Sequence, residues 1–349
     1  MQTSRILKSF VLLAALIALC AISFAQTDSV VQVSDQKSGS VLVFPFYGSD
    51  GAGNDTRLTI TNVGPAGVPN PGAAPTGTAA TILNNLNVHL FFLDATCAQA
   101  DVYLCFTKFQ SYSFKASEWD PVTKVGELIA VAVDNMGLPI SYNGLIGNAF
   151  VNTLVGGNRW IGNYSPEAFA SLGALDANGN YYTAGNVVTA TTAALLLNNG
   201  PRAGQVGYDA AASKFAAEFQ SPVDSKGQAI LTMGLAGTIG GALTGNAASG
   251  TGVIYRNDEK LFSYTPPTGG CSVISLFTDT TPRVVGGLAN SIGTGKTGTA
   301  VWSVAGPAIG LVITPVQANS AWSGIRTLHK RDAGTGTLVM PVFMPICVL

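Results

Sequence analysis

The chain has 349 residues, with 18 Lys+Arg against 19 Asp+Glu, a formal net charge of −1 and only 11% charged residues, against roughly 25% in an average globular domain. That balance leaves no basic footprint for nucleic acid. A surface so weakly charged repels copies of itself poorly, which suits adhesion or self-association.

Residues 1–25 read as a secretory signal. Arg5 and Lys8 form a basic start, Phe10 to Ile22 is apolar, and Ser23-Phe24-Ala25 places small residues where a signal peptidase reads, so cleavage is expected before Gln26. Cys20 follows the bulky Leu19, which does not fit a lipid-modified cysteine, and belongs to the apolar run. No later stretch is long enough to span a membrane without Gly, Pro or polar breaks. The expected mature protein is secreted to the exterior, the cell surface or the periplasm, where disulfides survive.

Alternation dominates the chain beyond residue 25. In Arg57 to Asn62, Leu58 and Ile60 face one way while Arg57, Thr59 and Thr61 face the other, as in a half-buried strand. Val41 to Phe46, Val88 to Leu93 and Glu127 to Val133 are richer apolar runs of strand length. The style returns at Gln228 to Leu235, Gly252 to Arg256, Cys271 to Phe277, Ala308 to Ile313 and Thr337 to Phe343. Gly, Asn, Asp and Pro punctuate these runs. Helix signals are few. Ser165-Pro166-Glu167 has an N-cap, a proline and an acid in sequence, which predicts a short helix there. Asp209 to Phe219 fits either a helix or a loop entering a strand.

The predicted fold is all-β: antiparallel β-sandwich, immunoglobulin-like or similar, as two tandem sandwiches with little helix. The first domain is placed at 26–160, with a Pro/Gly/Ala-rich insertion at 64–81 that cannot bury enough apolar surface to order itself. A Gly/Asn-rich connection occupies 161–204, and the second sandwich 205–349. The halves share a faint likeness: each has a proline, Pro45 or Pro222, after an aromatic run and before a polar turn.

Beyond the signal lie Cys97, Cys105, Cys271 and Cys347, which allow three pairings. Proximity favours Cys97–Cys105, leaving Cys271–Cys347. No Cys-x-x-Cys spacing points to redox chemistry.

Several stretches carry a family resemblance: Gly39 to Pro45, Thr56 to Asn62, Val88 to Asp94 with Cys97 and Cys105 behind it, Ala130 to Asp134, Leu145-Ile146-Gly147, Arg326 to Lys330 and Met340 to Phe343. In these the chain resembles a group of exported, β-rich bacterial proteins of unassigned function. The resemblance implies a secreted β-rich protein and offers no catalytic residues to carry over.

Chemical motifs are sparse. Ile292 to Thr297 resembles a phosphate-binding loop, but the position that needs its first glycine is Asn290. His89 and His329 are the only histidines, and no Gly-x-Ser-x-Gly elbow presents a serine to either. Paired acids for glycoside hydrolysis could come from Glu118, Asp120, Glu127 and Asp134. A sugar-stacking platform could use Trp119, Trp160, Trp302 or Trp322. Calcium is the one cofactor the loops suggest, through Asp50, Asn54 and Asp55 or through Asp176, Asn178 and Asn180, although both groups lack a distal bidentate acid. The expectation is a non-enzymatic structural or adhesive protein that meets a protein, a surface polymer or its own copies through loops and edge strands. The competing reading is an extracellular carbohydrate-binding module or polysaccharide hydrolase.

Overall fold

Which faces of a strand are buried decides how the layers stack. The computed structural model describes residues 37–49, 54–64, 85–119, 125–155, 157–172, 187–199, 207–220, 228–247, 249, 251–266, 271–276, 293, 295–316 and 323–344, and these belong to one unit spanning Val33–Leu349. A five-stranded sheet runs in the order β4 (Gln99–Thr107), β3 (Asn85–Leu93), β6 (Val125–Val133), β1 (Val41–Gly48), β9 (Glu167–Phe169). A four-stranded sheet runs β5 (Ser111–Lys115), β2 (Asp55–Asn62), β7 (Leu145–Val155), β8 (Asn158–Tyr164). All pairings in these two sheets are antiparallel.

Every residue of β1 is buried, so this strand lies between two apolar layers. Its even-numbered residues Leu42, Phe44 and Phe46 join Leu58, Ile60, Ala149 and Val151 of the four-stranded sheet in one hydrophobic cluster. Its odd-numbered Val41 and Val43 join Leu195, Leu235, Leu338 and Met340 in a second. The second cluster is closed by a six-stranded sheet: β10 (Val187–Thr189), β11 (Thr192–Leu197), β24 (Gly336–Pro341), β15 (Ala236–Thr238) and β16 (Ala242–Thr244), with β12 (Gly207–Tyr208) beside β11. The five-stranded sheet is thus the middle of three layers, which explains why β1 and β6 read as apolar runs while β2 alternates.

A nine-stranded sheet completes the structure. It orders β18 (Leu261–Tyr264), β17 (Gly252–Arg256), β20 (Thr297–Thr314), β13 (Ala211–Gln220) and β22 (His329–Lys330). Off that path are β14 (Ala229–Gly234), β19 (Ser272–Leu276), β21 (Gly324–Thr327) and β23 (Ala333–Gly334). Its own core holds Phe215, Trp302 and Tyr264. Leu231, Leu311 and Ile325 reach into the first cluster, so the hydrophobic clusters do not divide at 161–204. The described part of that stretch carries β9, β10, β11 and the end of β8.

The all-β reading is right, and the structure corrects details of it. Ser165 to Phe169 is extended rather than helical: Glu167, Ala168 and Phe169 pair with Val43, Leu42 and Val41 of β1. Burying Phe169 in the second cluster outweighs the local capping signal. Of the two readings of Asp209 to Phe219 the structure has the second: Asp209 and Ala210 lead into strand β13. The run expected at Ala308–Ile313 is part of an 18-residue strand. It passes Pro307 at a register shift against β13, which is where a strand tolerates proline. The one helix among the described residues is α1 (Ala116–Trp119).

The expected Cys97–Cys105 pairing is wrong. Cys97 bonds Cys271, 174 residues away, with Cα atoms 5.4 Å apart, inside the usual span of a disulfide. Cys97 sits in the turn that opens β4 and Cys105 near that strand's far end, so an extended backbone rising about 3.3 Å per residue carries them out of bonding range. With Cys271 taken, the expected Cys271–Cys347 pairing fails as well. Cys105 is also disulfide-bonded, and Cys347 lies outside the described residues, as do the insertion at 65–81 and Pro222.

A polar knot pins β1 to the loop before β7. Ser40 Oγ accepts the N–H groups of Tyr142 (2.7 Å) and Asn143 (2.8 Å), and Asn143 Nδ2 donates to Ser171 O at 2.9 Å. Asn143 takes φ 52°, a left-handed conformation that asparagine tolerates better than most residues.

Candidate binding surface

The four-stranded sheet buries one face and presents the other. On β2 the buried residues are Thr56, Leu58, Ile60 and Asn62, which turns Asp55, Arg57, Thr59 and Thr61 outward. On β7 the same alternation turns Ile146, Phe150 and Leu154 outward, and they stand 39%, 43% and 49% exposed. Apolar side chains here are unusual, because the solvent face of a half-buried sheet is normally polar.

Register then sets the neighbours. Arg57 lies directly opposite Lys115 on one side and Phe150 on the other, and Phe150 lies opposite Asn163 of β8. Residues directly opposed on antiparallel strands share a face, with Cβ atoms roughly 4.5–5.5 Å apart. One row of the sheet therefore reads Lys115, Arg57, Phe150, Asn163. Leu154 is opposite Arg159, whose Nη2 donates to Asn152 Oδ1 at 3.0 Å. Arg57, Lys115 and Arg159 have no ion-pair partner among the described residues. Placing Arg57 against Lys115 sets like charges across a ladder, which lowers stability.

Hydroxyls and amides fill the rest of the face. Thr59 Oγ1 donates to Ser113 Oγ at 3.1 Å, and Thr61 and Ser111 share a 2.6 Å hydrogen bond. Asp55 is the one carboxylate at an outward position of these strands. Its Oδ2 accepts from Ser117 Oγ at 2.5 Å and its Oδ1 from the Thr56 N–H at 2.9 Å. Glu118 of α1 turns back to accept the Lys115 N–H at 3.0 Å.

At Asn163 the face runs into an open cleft of about 690 Å³ between β8, β13, β20 and β21. Its polar lining includes Asn163, Thr297, Thr299, Ser323 and the exposed Glu218–Arg326 ion pair at 2.8 Å. Phe219 contributes to the wall but is itself buried. Glu218 and Arg326 also line a smaller hollow of about 370 Å³ that ends at His329.

Of the site residues singled out from sequence, Asp55 stands on this face and Glu118 beside it, while the other described ones lie elsewhere. Asp50, Asp176, Asn178 and Asn180 lie outside the described residues, as do Asp120 and Trp322. Asn54 lies just before β2, and the Asp55 carboxylate is engaged by Ser117 and Thr56. Trp160 and Trp302 are buried in the core, and Trp119 packs on Phe114 with ring centroids 5.6 Å apart. None of these three forms the expected sugar-stacking platform. Lys296, in the phosphate-loop look-alike, lies 3.9 Å from Asp258.

The described acids named for hydrolysis, Glu118, Glu127 and Asp134, line neither of these clefts. Glu127 is buried opposite the irregularity in β1 between Phe44 and Tyr47. Burial pushes its pKa up to about 8, against a hydrogen bond with Ser272, and the nearby Asp94 charge adds to the rise. Asp134 shapes a turn, its Oδ1 accepting the N–H groups of Met136 (2.8 Å) and Leu138 (2.9 Å). His89 is fully buried, with its ring 3.9 Å from Phe91 and 4.0 Å from Tyr103, and its Nε2 is 2.9 Å from Asp101. Burial lowers its pKa more than Asp101 raises it. That arrangement is a packed histidine tied to an edge strand, with no serine or cysteine hydrogen-bonded to it among the described residues.

No family model and no curated protein matches the chain. Among solved structures, one described as Thermotoga maritima 1070 is 11% identical at a TM-score of 0.26, over 38% of this chain and 95% of that one. An α-L-rhamnosidase of Streptomyces avermitilis, complexed with L-rhamnose, is 12% identical at a TM-score of 0.15. That match covers 83% of this chain and 27% of that one. At those scores neither likeness bears on fold or function.

Proposed function

We propose that the protein is exported and acts outside the cytoplasm as a structural or adhesive protein, holding a surface partner on the outward face of β5–β2–β7–β8. The observation that carries the reading is the outward row of Ile146, Phe150 and Leu154 on β7. Three exposed apolar side chains along one strand of an otherwise polar sheet face favour a contact surface. The Cys97–Cys271 bond and the signal-like residues 1–25 support export, because structural disulfides persist in oxidising compartments. The face is broad and shallow, which suits holding a partner better than enclosing a small substrate.

The test is rebinding. Purified mature protein is added back to washed cells of the source organism, beside a variant carrying Ile146→Ser, Phe150→Ser and Leu154→Ser. The wild type should bind and the variant should stay in the supernatant while keeping its thermal midpoint. Equal rebinding of the two proteins, or none by either, would remove this face from the function.

A further inference from the structure

We infer that the partner of this face is an acidic polysaccharide, a polymer of sugars bearing carboxylates, lying across the row from Lys115 through Arg57 and Phe150 toward Asn163 and the cleft. The inference rests on the adhesive reading and gives it a ligand class.

Three features of the face point there together. The first is charge. Arg57, Lys115 and Arg159 stand outward without ion-pair partners among the described residues, in a chain whose net charge is −1. The carboxylate at an outward position of the same strands, Asp55, is held by Ser117 and Thr56. Unpaired cations beside one another across a ladder lower stability unless an anion relieves them, and guanidinium pairs bidentately with carboxylate. The second is Phe150, an exposed aromatic ring directly beside Arg57 in the same row. Its face can cover the C–H side of a pyranose while neighbouring groups bond the ring's hydroxyls. The third is the hydroxyl and amide lining. Thr59, Ser113 and Asn152 can both donate and accept, as a sugar hydroxyl does.

The dimensions agree. Neighbouring strands lie about 4.8 Å apart, so the four-strand row spans on the order of 15 Å, long enough for several sugar rings. The cleft beyond Asn163 extends the track toward Arg326 and Glu218. Nucleic acid fits less well. A phosphate backbone carries a dense line of charge that is met by many cations, whereas this face offers three.

Affinity electrophoresis of the mature chain decides the matter. It would be run through gels containing polygalacturonate, or the same polymer with its carboxyl groups reduced to alcohols. The wild type should be retarded by polygalacturonate, less so as salt rises, and should pass freely through the reduced polymer. Arg57→Ser with Lys115→Ser, and separately Phe150→Ser, should each weaken retention at least about tenfold, or ~1.4 kcal/mol. Lys260→Ser, which removes a charge on the β17–β18 turn at a residue that lines neither the row nor the cleft, should leave it unchanged. Each variant's thermal midpoint reports that it is folded. Equal retention by both polymers would make the site one for neutral sugars and overturn the inference. So would no retention by either, or equal losses in Lys260→Ser. If rebinding to cells survives while the polymers fail to discriminate, the adhesive reading stands and only the ligand class falls.

Discussion

At the scale of single residues, the buried Glu127 is the sharpest point of tension. Its Oε2 accepts no hydrogen bond among the described residues, and burial lifts its pKa to about 8, from 4.5 in an unfolded chain. The folded state therefore holds a proton that the unfolded state releases between those values. Stability should fall as pH rises from about 4.5 to about 8 and level off above. Glu127→Gln should flatten that slope. It should be as stable as wild type at pH 4 and more stable at pH 8, by on the order of a few kcal/mol, read from urea midpoints across pH. Parallel curves for the two proteins would mean that Glu127 is hydrated. Beside it, Gly126 has no room for a methyl group: a Cβ there would run into Leu93 O and the Tyr47 ring. Gly126→Ala should lower stability by roughly 1–3 kcal/mol, and a neutral result in thermal unfolding would contradict this packing.

At the scale of elements, legibility in the sequence depends on which strands bury one face. β2 alternates because one side meets Leu42 and Phe44 while the other meets solvent, so its pattern reads directly. β1 and β6 are legible as strands, but not as the middle of a three-layer stack, since a run of apolar residues does not say what covers it. β9 is not legible, because Ser165-Pro166-Glu167 is a sound local helix start and only the distant pairing with β1 overrides it. Phe169→Ala should lower stability by about 3–5 kcal/mol if that strand anchors the second cluster as its burial indicates. A loss under 1 kcal/mol would mean that β9 is peripheral. The proposed binding face is hidden for a related reason. Ile146, Phe150 and Leu154 recur every fourth residue, which imitates a helical stripe, and only the strand register sets them beside Arg57, Lys115 and Asn163. The tryptophans suggest exposed rings, yet Trp160 and Trp302 are core residues, so the aromatic on this face is a phenylalanine.

At the scale of the whole molecule, Cys97–Cys271 ties the β3–β4 turn to the residue just before β19, so it links the middle layer to the nine-stranded sheet. Pairing neighbours in sequence fails here because extended strands separate them while distant strands meet. In the chain-entropy account, closing a loop this long stabilises the fold by up to about 5 kcal/mol. Cys97→Ser with Cys271→Ser should lower the urea midpoint accordingly, and an unchanged midpoint would contradict that account. The same bond bears on where the protein works. The most direct measurement is peptide mapping, without reduction, of the native protein recovered from separated cytoplasmic and exported fractions of its own cells. An exported chain lacking residues 1–25 and yielding a Cys97–Cys271 linked peptide is the predicted result. A full-length chain in the cytoplasm with both thiols free would contradict a protein built to adhere outside the cell.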